Sequence, residues 1–363
     1  MKKPVVKKPV VKKPVVKKPV VKKAAVNKPV VKKPVVKKAA VKKAVANKAV
    51  VKKPVVKKLI AVVRTVEVRK QVHAAGPAPS AEALKLAAFA DEIGPEIDVQ
   101  IENCVKNGVK YIELRGVSGK NVLDLDVPLR KEIKMKLADS GMGIAAIGSP
   151  IGKVRIDEPF DPHFERFKTA VELAEYFDAP LIRVFSYYPP EGVSNDDLVA
   201  RHRDEVFRRM QAKIDYMQGR RPVLVHENEH AIFGESASAC LLLLRTLQSP
   251  KLRAAFDPAN FVVDAHDPLE AWQLLKPYTV HFHIKDALLN PAPGQHKIVP
   301  AGEGDGHIPE ILRDAYESGY RGFLTLEPHL QKAGQFVGFT GPELFKAAVD
   351  ALKNVAAQIG VPL

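Results

Sequence analysis

Four stretches in the C-terminal half of the chain place residues able to bind a divalent cation next to short apolar runs. They read Leu224-Val225-His226-Glu227-Asn228-Glu229-His230, Ala255-Phe256-Asp257-Pro258-Ala259-Asn260-Phe261, Val280-His281-Phe282-His283-Ile284-Lys285-Asp286 and Leu324-Thr325-Leu326-Glu327-Pro328-His329. Each begins like a β-strand, rich in aliphatic and aromatic residues. One Glu, one Asp, one His and one Glu at successive strand tips can converge on a point. Three carboxylates with one imidazole suit Mn²⁺, with Mg²⁺, Co²⁺ or Zn²⁺ as alternatives. An acidic residue after a strand is weak evidence by itself, because it also serves as a helix cap. Four such positions on consecutive strands are a stronger signal.

Side-chain alternation along a strand refines the set. If Glu227 points inward, His226 faces the helices and is a buried structural histidine. His281, His283 and Lys285 share one face. His283 can then be a ligand, with Lys285 nearer the mouth and His281 one layer deeper, as a core residue or a substrate contact. Asp286 either orients a ligand or caps the following loop.

These tips need a scaffold, and the chain supplies one from residue 84 onward. Short β-branched runs alternate there with longer amphipathic stretches, the pattern of βα units around a parallel sheet. Eight strands are expected: Leu86–Asp91, Tyr111–Arg115, Ile144–Ser149, Leu181–Phe185, Val223–Glu227, Ala254–Asp257, Val280–Lys285 and Phe323–Glu327. Helical patterns between them include Phe164–Tyr176, Asp197–Met217, Ser236–Leu247, Ile308–Ser318 and Glu343–Gln358. Ser194-Asn195-Asp196 and Gly341-Pro342-Glu343 are helix-entry signals. Eight units fit one closed (β/α)₈ barrel over residues 84–363 better than an open sheet of about five or six strands. In such a barrel the chemistry sits at the C-terminal strand ends.

The strings HENEH, FDPANF, HFHIKD, the glycine-rich Ala301-Gly302-Glu303-Gly304-Asp305-Gly306 and LTLEPH resemble the sequence blocks of the xylose-isomerase-like TIM barrel superfamily. That group includes tagatose/psicose 3-epimerases, hydroxypyruvate isomerase and inosose dehydratase. The resemblance covers roughly residues 86–358. It implies that Glu227, Asp257, His283 and Glu327 bind one metal ion and that Glu227 and Glu327 are an acid/base pair. It departs at Asn260, where many members have His.

The implied chemistry is isomerisation or epimerisation of a sugar or small keto-polyol through a cis-enediolate. A metal acting as Lewis acid acidifies the C–H beside a carbonyl. One carboxylate removes that proton and the other returns it. Lys285 can stabilise the developing oxyanion. Arg183, Asn260 and His329 are further substrate-binding candidates. Glu113 and Arg115 on strand two are inward candidates, and an Arg183–Glu113 ion pair is an equal alternative to substrate contact. With a leaving hydroxyl β to the carbonyl, the same site becomes a dehydratase of an inosose-like substrate. An apurinic-endonuclease reading would need extra histidines. Strands two and three offer Glu113 and Ser149 instead, leaving only His296 and His307 as additional ligands.

The overall charge of +16 is uneven. Residues 1–60 hold 22 Lys and no Arg, Asp or Glu; removing that +22 leaves −6 for residues 61–363. Residues 1–58 repeat the pentad KKPVV. Proline about every fifth residue and crowded like charge predict a disordered, extended tail. It resembles the Lys-, Pro- and Ala-rich tails of linker histones. It can bind nucleic acid or another polyanion non-specifically by counterion release, or act only as a solvating extension. Residues 59–83 read as a linker. Cys104 and Cys240 lie in helical patterns, form no metal or redox spacing, and read as core residues. No stretch approaches the roughly 20 apolar residues of a membrane span. A cytoplasmic protein with a small-molecule substrate is expected, with homo-oligomerisation left open.

Overall fold

The computed structural model describes residues 82–292, 297–330 and 340–363. The basic repeat, most of the expected linker and His296 lie outside the described residues. Within them, eight parallel strands close into a barrel: β1 (Lys85–Ala88), β2 (Tyr111–Leu114), β3 (Gly143–Ile147), β4 (Leu181–Val184), β5 (Val223–Glu227), β6 (Leu252–Phe256), β7 (Thr279–Ile284) and β8 (Phe323–Leu326). Each strand pairs with its sequence neighbours, and β1 pairs with β8 to seal the ring. All eight expected strands are present. Most end one to three residues earlier than expected, because the chain leaves the ladder just where the polar tips begin. Asp91, for instance, sits in a 3₁₀ turn (Ala90–Glu92) rather than in β1.

Alternation sorts the side chains. Helix-facing residues such as Ile112, Ile182, Leu224, Phe256, Phe282 and Leu326 join the main apolar core. A much smaller apolar set, Ala146, Leu181, Val225 and Ala255, packs separately, in line with the opposite, inward phase of the same strands. Above that small layer the barrel is filled by charged and polar groups. Glu113, Arg183, Glu227, Asp257, His281, His283, Lys285 and Glu327 are all buried. Such a set is tolerable only if its members satisfy one another.

Helix capping links the scaffold to the site. Asp257 precedes helix α1 (Pro258–Val263), and its Oδ1 accepts the Asn260 amide at 3.0 Å. The cap uses only Oδ1; Oδ2 lies 2.8 Å from Lys285 Nζ. The expected helix over Asp197–Met217 is instead two helices, Asn195–Arg201 and Arg203–Tyr216, divided at His202 (φ −112°, ψ 3°). No Pro or Gly marks that break, so the apolar periodicity runs through it. Cys104 and Cys240 are buried, unpaired helix residues, and burial pushes both thiols up to about 12. No described helix is long and apolar enough to cross a membrane.

One buried amine gives the fold a predicted pH dependence. Lys213 is fully buried and donates to the Tyr187 hydroxyl at 2.6 Å. Burial, with Arg209 nearby, pushes its amine down to about 7. The unfolded chain therefore holds more protons than the native state between pH 7 and about 10.4, and stability from this residue rises with pH across that window. Lys213→Met is expected to stabilise the protein by roughly 2 kcal/mol at pH 7 and to flatten that rise. Chemical denaturation at pH 7 and pH 9.5 checks both.

Candidate metal centre

Strand register brings the four tips together. Glu227 pairs with Ala255, Ala255 with His281, and His283 with Thr325. Glu227 ends β5, Asp257 follows β6, His283 lies near the end of β7 and Glu327 follows β8. Ligand-type atoms from all four lie within 4.8 Å of one another, and all four residues are buried. His283 Nδ1 is 2.9 Å from Glu227 Oε1 and 4.0 Å from Glu327 Oε2.

Cations balance these carboxylates. Arg183 Nη1 donates to Glu227 Oε2 at 3.1 Å, and Arg115 Nη1 to Glu327 Oε1 at 2.9 Å. Lys285 Nζ lies 2.8 Å from Asp257 Oδ2 and 3.3 Å from Glu327 Oε2. Burial raises the Glu227 carboxyl, but His283 and Arg183 outweigh it and hold the group down at about 2. Asp257 goes the other way. Burial pushes it up to about 7, with Lys285 only partly offsetting that rise.

Two atoms show that the set fits a cation. Asp257 Oδ2 and His283 Nδ1 are buried yet make no aligned hydrogen bond, despite their close charged neighbours. Buried polar atoms are seldom left so, and both belong to the four-residue cluster. The other His283 nitrogen is engaged: Nε2 lies 3.2 Å from Glu113 Oε2, the carboxylate–histidine arrangement that fixes a ligand's tautomer. Glu113 also takes His281 Nε2 at 2.7 Å, and Thr325 Oγ1 lies 3.2 Å from the same nitrogen.

A cavity of about 460 Å³ opens over the centre, lined by Arg115, Lys153, Arg183, Glu229, Asn260, Lys285, Glu327 and His329 among others. Arg183, Asn260, Lys285 and His329 thus lie where substrate contact was expected. Glu113 does not. It is fully buried beneath His283, and neither that wall nor an ion pair with Arg183 involves it. His281 takes the core role. His226 is a buried structural histidine, with Nε2 2.8 Å from Ser186 Oγ. His307 belongs to none of the described ligand clusters. A larger hollow, about 650 Å³, lies near the N-terminal ends of β7 and β8 by Trp272, Thr279 and Tyr320 and contains none of these groups.

Two contributors, Lys153 and Glu92, carry no signal in the local sequence. Lys153 reaches the mouth from the loop after β3 and pairs with Glu229 at 2.6 Å. Glu92 is buried behind Arg115 and accepts from the His329 amide and the Thr340 hydroxyl. Their partners are distant in sequence, so no local pattern flags them. Asp286 is a loop organiser: its carboxylate accepts the amides of Ala287, Gly302, Gly304 and Gly306 at 2.8–3.1 Å. A Cβ on Gly304 would stand 2.3 Å from Asp286 Oδ1, which explains a glycine there. Asp286→Ala is expected to cost about 2–4 kcal/mol, because four amides lose one acceptor. Thermal denaturation, with hydrogen exchange of residues 301–306, measures it.

An eight-stranded parallel barrel with buried carboxylate–histidine clusters at the C-terminal strand ends defines a TIM-barrel protein equipped to bind a divalent metal. Residues 101–355 match the xylose isomerase-like TIM barrel family, and the chain belongs to it. It is similar to the 3-dehydroshikimate dehydratase of Bacillus anthracis, with 20% identity over 267 residues, 70% of this chain and 90% of that protein. The crystal structure of the probable 3-DHS dehydratase AsbF from Bacillus anthracis matches with a TM-score of 0.59 at 20% identity, covering 75% of this chain and 99% of that one. A D-tagatose 3-epimerase-like protein gives 0.59 at 16%, covering 76% and 98%. A xylose isomerase-like TIM barrel protein from Mycobacterium smegmatis, in complex with magnesium, gives 0.57 at 16%, covering 76% and 97%. At these identities the structural likeness establishes the fold.

Proposed function

We propose that the protein is a divalent-metal-dependent dehydratase that removes water from a small β-hydroxy ketone carrying a carboxylate. The observation that carries this reading is the buried Glu227–Asp257–His283–Glu327 cluster beneath a cavity walled by Arg115, Lys153, Arg183 and Lys285. Glu227, Asp257, His283 and Glu327 would hold the cation, and three carboxylates with one imidazole favour Mn²⁺. When bound, the cation supplies Lewis-acid polarisation of the substrate carbonyl.

The side chains do the rest. One of Glu227 and Glu327 takes the proton from the carbon between the carbonyl and the departing hydroxyl. The released electron pair becomes the new C=C bond as the β C–O bond breaks. The carboxyl that has taken this proton then gives it to the leaving oxygen, so water departs and the proton count balances. Lys285 offsets negative charge on the carbonyl oxygen. Arg183 and Lys153 face the cavity and hold the substrate carboxylate. The similarity to a protein named 3-dehydroshikimate dehydratase supports elimination over isomerisation. Isomerisation or epimerisation of a ketose by the same pair is the second reading, favoured by the two carboxylates approaching His283 Nδ1 from different strands.

The test is turnover by the Mn²⁺-loaded full chain on a panel of 3-dehydroshikimate, inososes, ketoses and hydroxypyruvate. Water loss from 3-dehydroshikimate, read as dihydroxybenzoate absorbance, is the expected outcome. Turnover confined to neutral ketoses overturns the dehydratase reading in favour of the second. For residues 1–58, separate polyanion binding is a proposal resting on 22 Lys without an acidic residue; DNA affinity that fails to fall with salt removes it.

A further inference from the structure

The segments that follow β5 and β6 carry a second group of ligand-type side chains, none of them a member of the central cluster. His230 lies three residues past Glu227, and Asp264 caps the C-terminus of α1, the helix that Asp257 starts. His230 Nδ1 is 2.6 Å from Asp264 Oδ1 and 3.9 Å from Glu235 Oε2. Ligand-type atoms of all three lie within 4.8 Å of one another. The loop holds Glu235 in place, since its Oε2 accepts the Ala231 amide at 2.7 Å.

We propose that His230, Glu235 and Asp264 form a second divalent-cation site, separate from the barrel centre, that braces the wall of the mouth. An ordinary surface His–Asp pair leaves one feature unexplained. The Asp264 side chain is only 8% exposed, and its Oδ2 is buried without a hydrogen-bond partner. A buried carboxylate oxygen lacking a partner is costly, and a cation shared with His230 and Glu235 removes that cost. Ligands around a four-coordinate Zn²⁺ stand about 3–3.5 Å apart. The two distances from Nδ1 straddle that spacing, so a small adjustment of the exposed His230 ring closes the set. One imidazole and two carboxylates with open positions suit Zn²⁺ or Co²⁺.

The brace would act on the mouth through its neighbours. Glu229, adjacent to His230, pairs with Lys153 at the cavity wall, and Asn260, on the helix that Asp264 ends, lines the same wall. A cation joining the two loops fixes both residues relative to each other.

Zn²⁺ uptake by the full-length chain, measured by equilibrium dialysis with metal analysis, tests this. The wild type is expected to take up two equivalents at micromolar free Zn²⁺, one in each site. His230→Ala should lose one equivalent, and Asp264→Asn should weaken that same equivalent at least tenfold. Asp257→Asn should instead remove the central equivalent and leave the outer one, so the outer site is read independently of the proposed reaction. His230 is largely exposed, so its variant folds. Uptake that is unchanged in both His230→Ala and Asp264→Asn overturns the proposal. So does a wild type that binds one equivalent and loses it in Asp257→Asn.

Discussion

Glu327→Gln is expected to lower turnover by about 10³-fold or more at saturating Mn²⁺ while leaving the barrel folded. Glu327 is the residue where the proposed cation, the proton transfer and two buried cations meet. Its Oε1 takes Arg115 at 2.9 Å and its Oε2 lies 3.3 Å from Lys285. Burial opposes its charge, yet Lys285, His329, His283 and Arg115 hold the carboxyl well below its usual range. Glutamine keeps the shape and an acceptor but neither binds nor releases a proton at neutral pH. Folding survives because the cations keep other partners: Arg115 remains on Asp91 at 2.8 Å, and Lys285 on Asp257. Weaker Mn²⁺ binding is expected as well. Measuring kcat across a Mn²⁺ titration separates the two effects, since only the proton-transfer loss persists at saturation.

The second large effect is expected at a fully buried residue outside the cavity wall. Glu113→Gln should weaken Mn²⁺ binding by about 10–100-fold and destabilise the fold by roughly 3 kcal/mol. Burial favours the neutral form of this carboxyl, but His283 and His281 outweigh it and keep the group ionised well below the ordinary carboxylate range. The charge matters because Glu113 is the acceptor beside His283 Nε2, while Nδ1 faces Glu227 and Glu327. An amide at 113 can present its NH₂ to one histidine and so misorient the ring. Calorimetric Mn²⁺ titration and thermal melting check the two parts. A raised KM with unchanged Mn²⁺ affinity would instead place Glu113 against the substrate.

The fold was legible because burial leaves a direct trace in composition. A strand between a packed interior and a helical shell reads as an apolar, β-branched run, and all eight runs were visible. Period-two alternation also separated Glu227 from His226 correctly: one joins the cluster, the other packs against Ser186. Alternation gives the side of the sheet, but it does not give depth. It therefore set Glu113 facing inward without showing that His281 and His283 would close over it. The His202 break was invisible because it is a dihedral departure with no Pro or Gly to announce it. Glu92 was missed for a third reason. Its role is defined by Arg115, His329 and Thr340, up to 248 positions away in the chain. Asp257 shows that a helix cap uses one carboxylate oxygen and leaves the second over: Oδ1 takes the helix amide, while Oδ2 has no hydrogen-bond partner.

If this cluster activates a hydrogen beside a carbonyl, deuterium reports on that step directly. The full chain, loaded with Mn²⁺ and shown to hold it, would be incubated with 3-dehydroshikimate in D₂O and followed by NMR. The hydrogen on the carbon between the carbonyl and the leaving hydroxyl is expected to be lost or exchanged. Metal-free protein and Glu327→Gln should leave it in place. A wild-type protein that binds Mn²⁺ through Asp257 and His283 yet leaves that hydrogen untouched, in this substrate and in the inososes and ketoses alike, would contradict it.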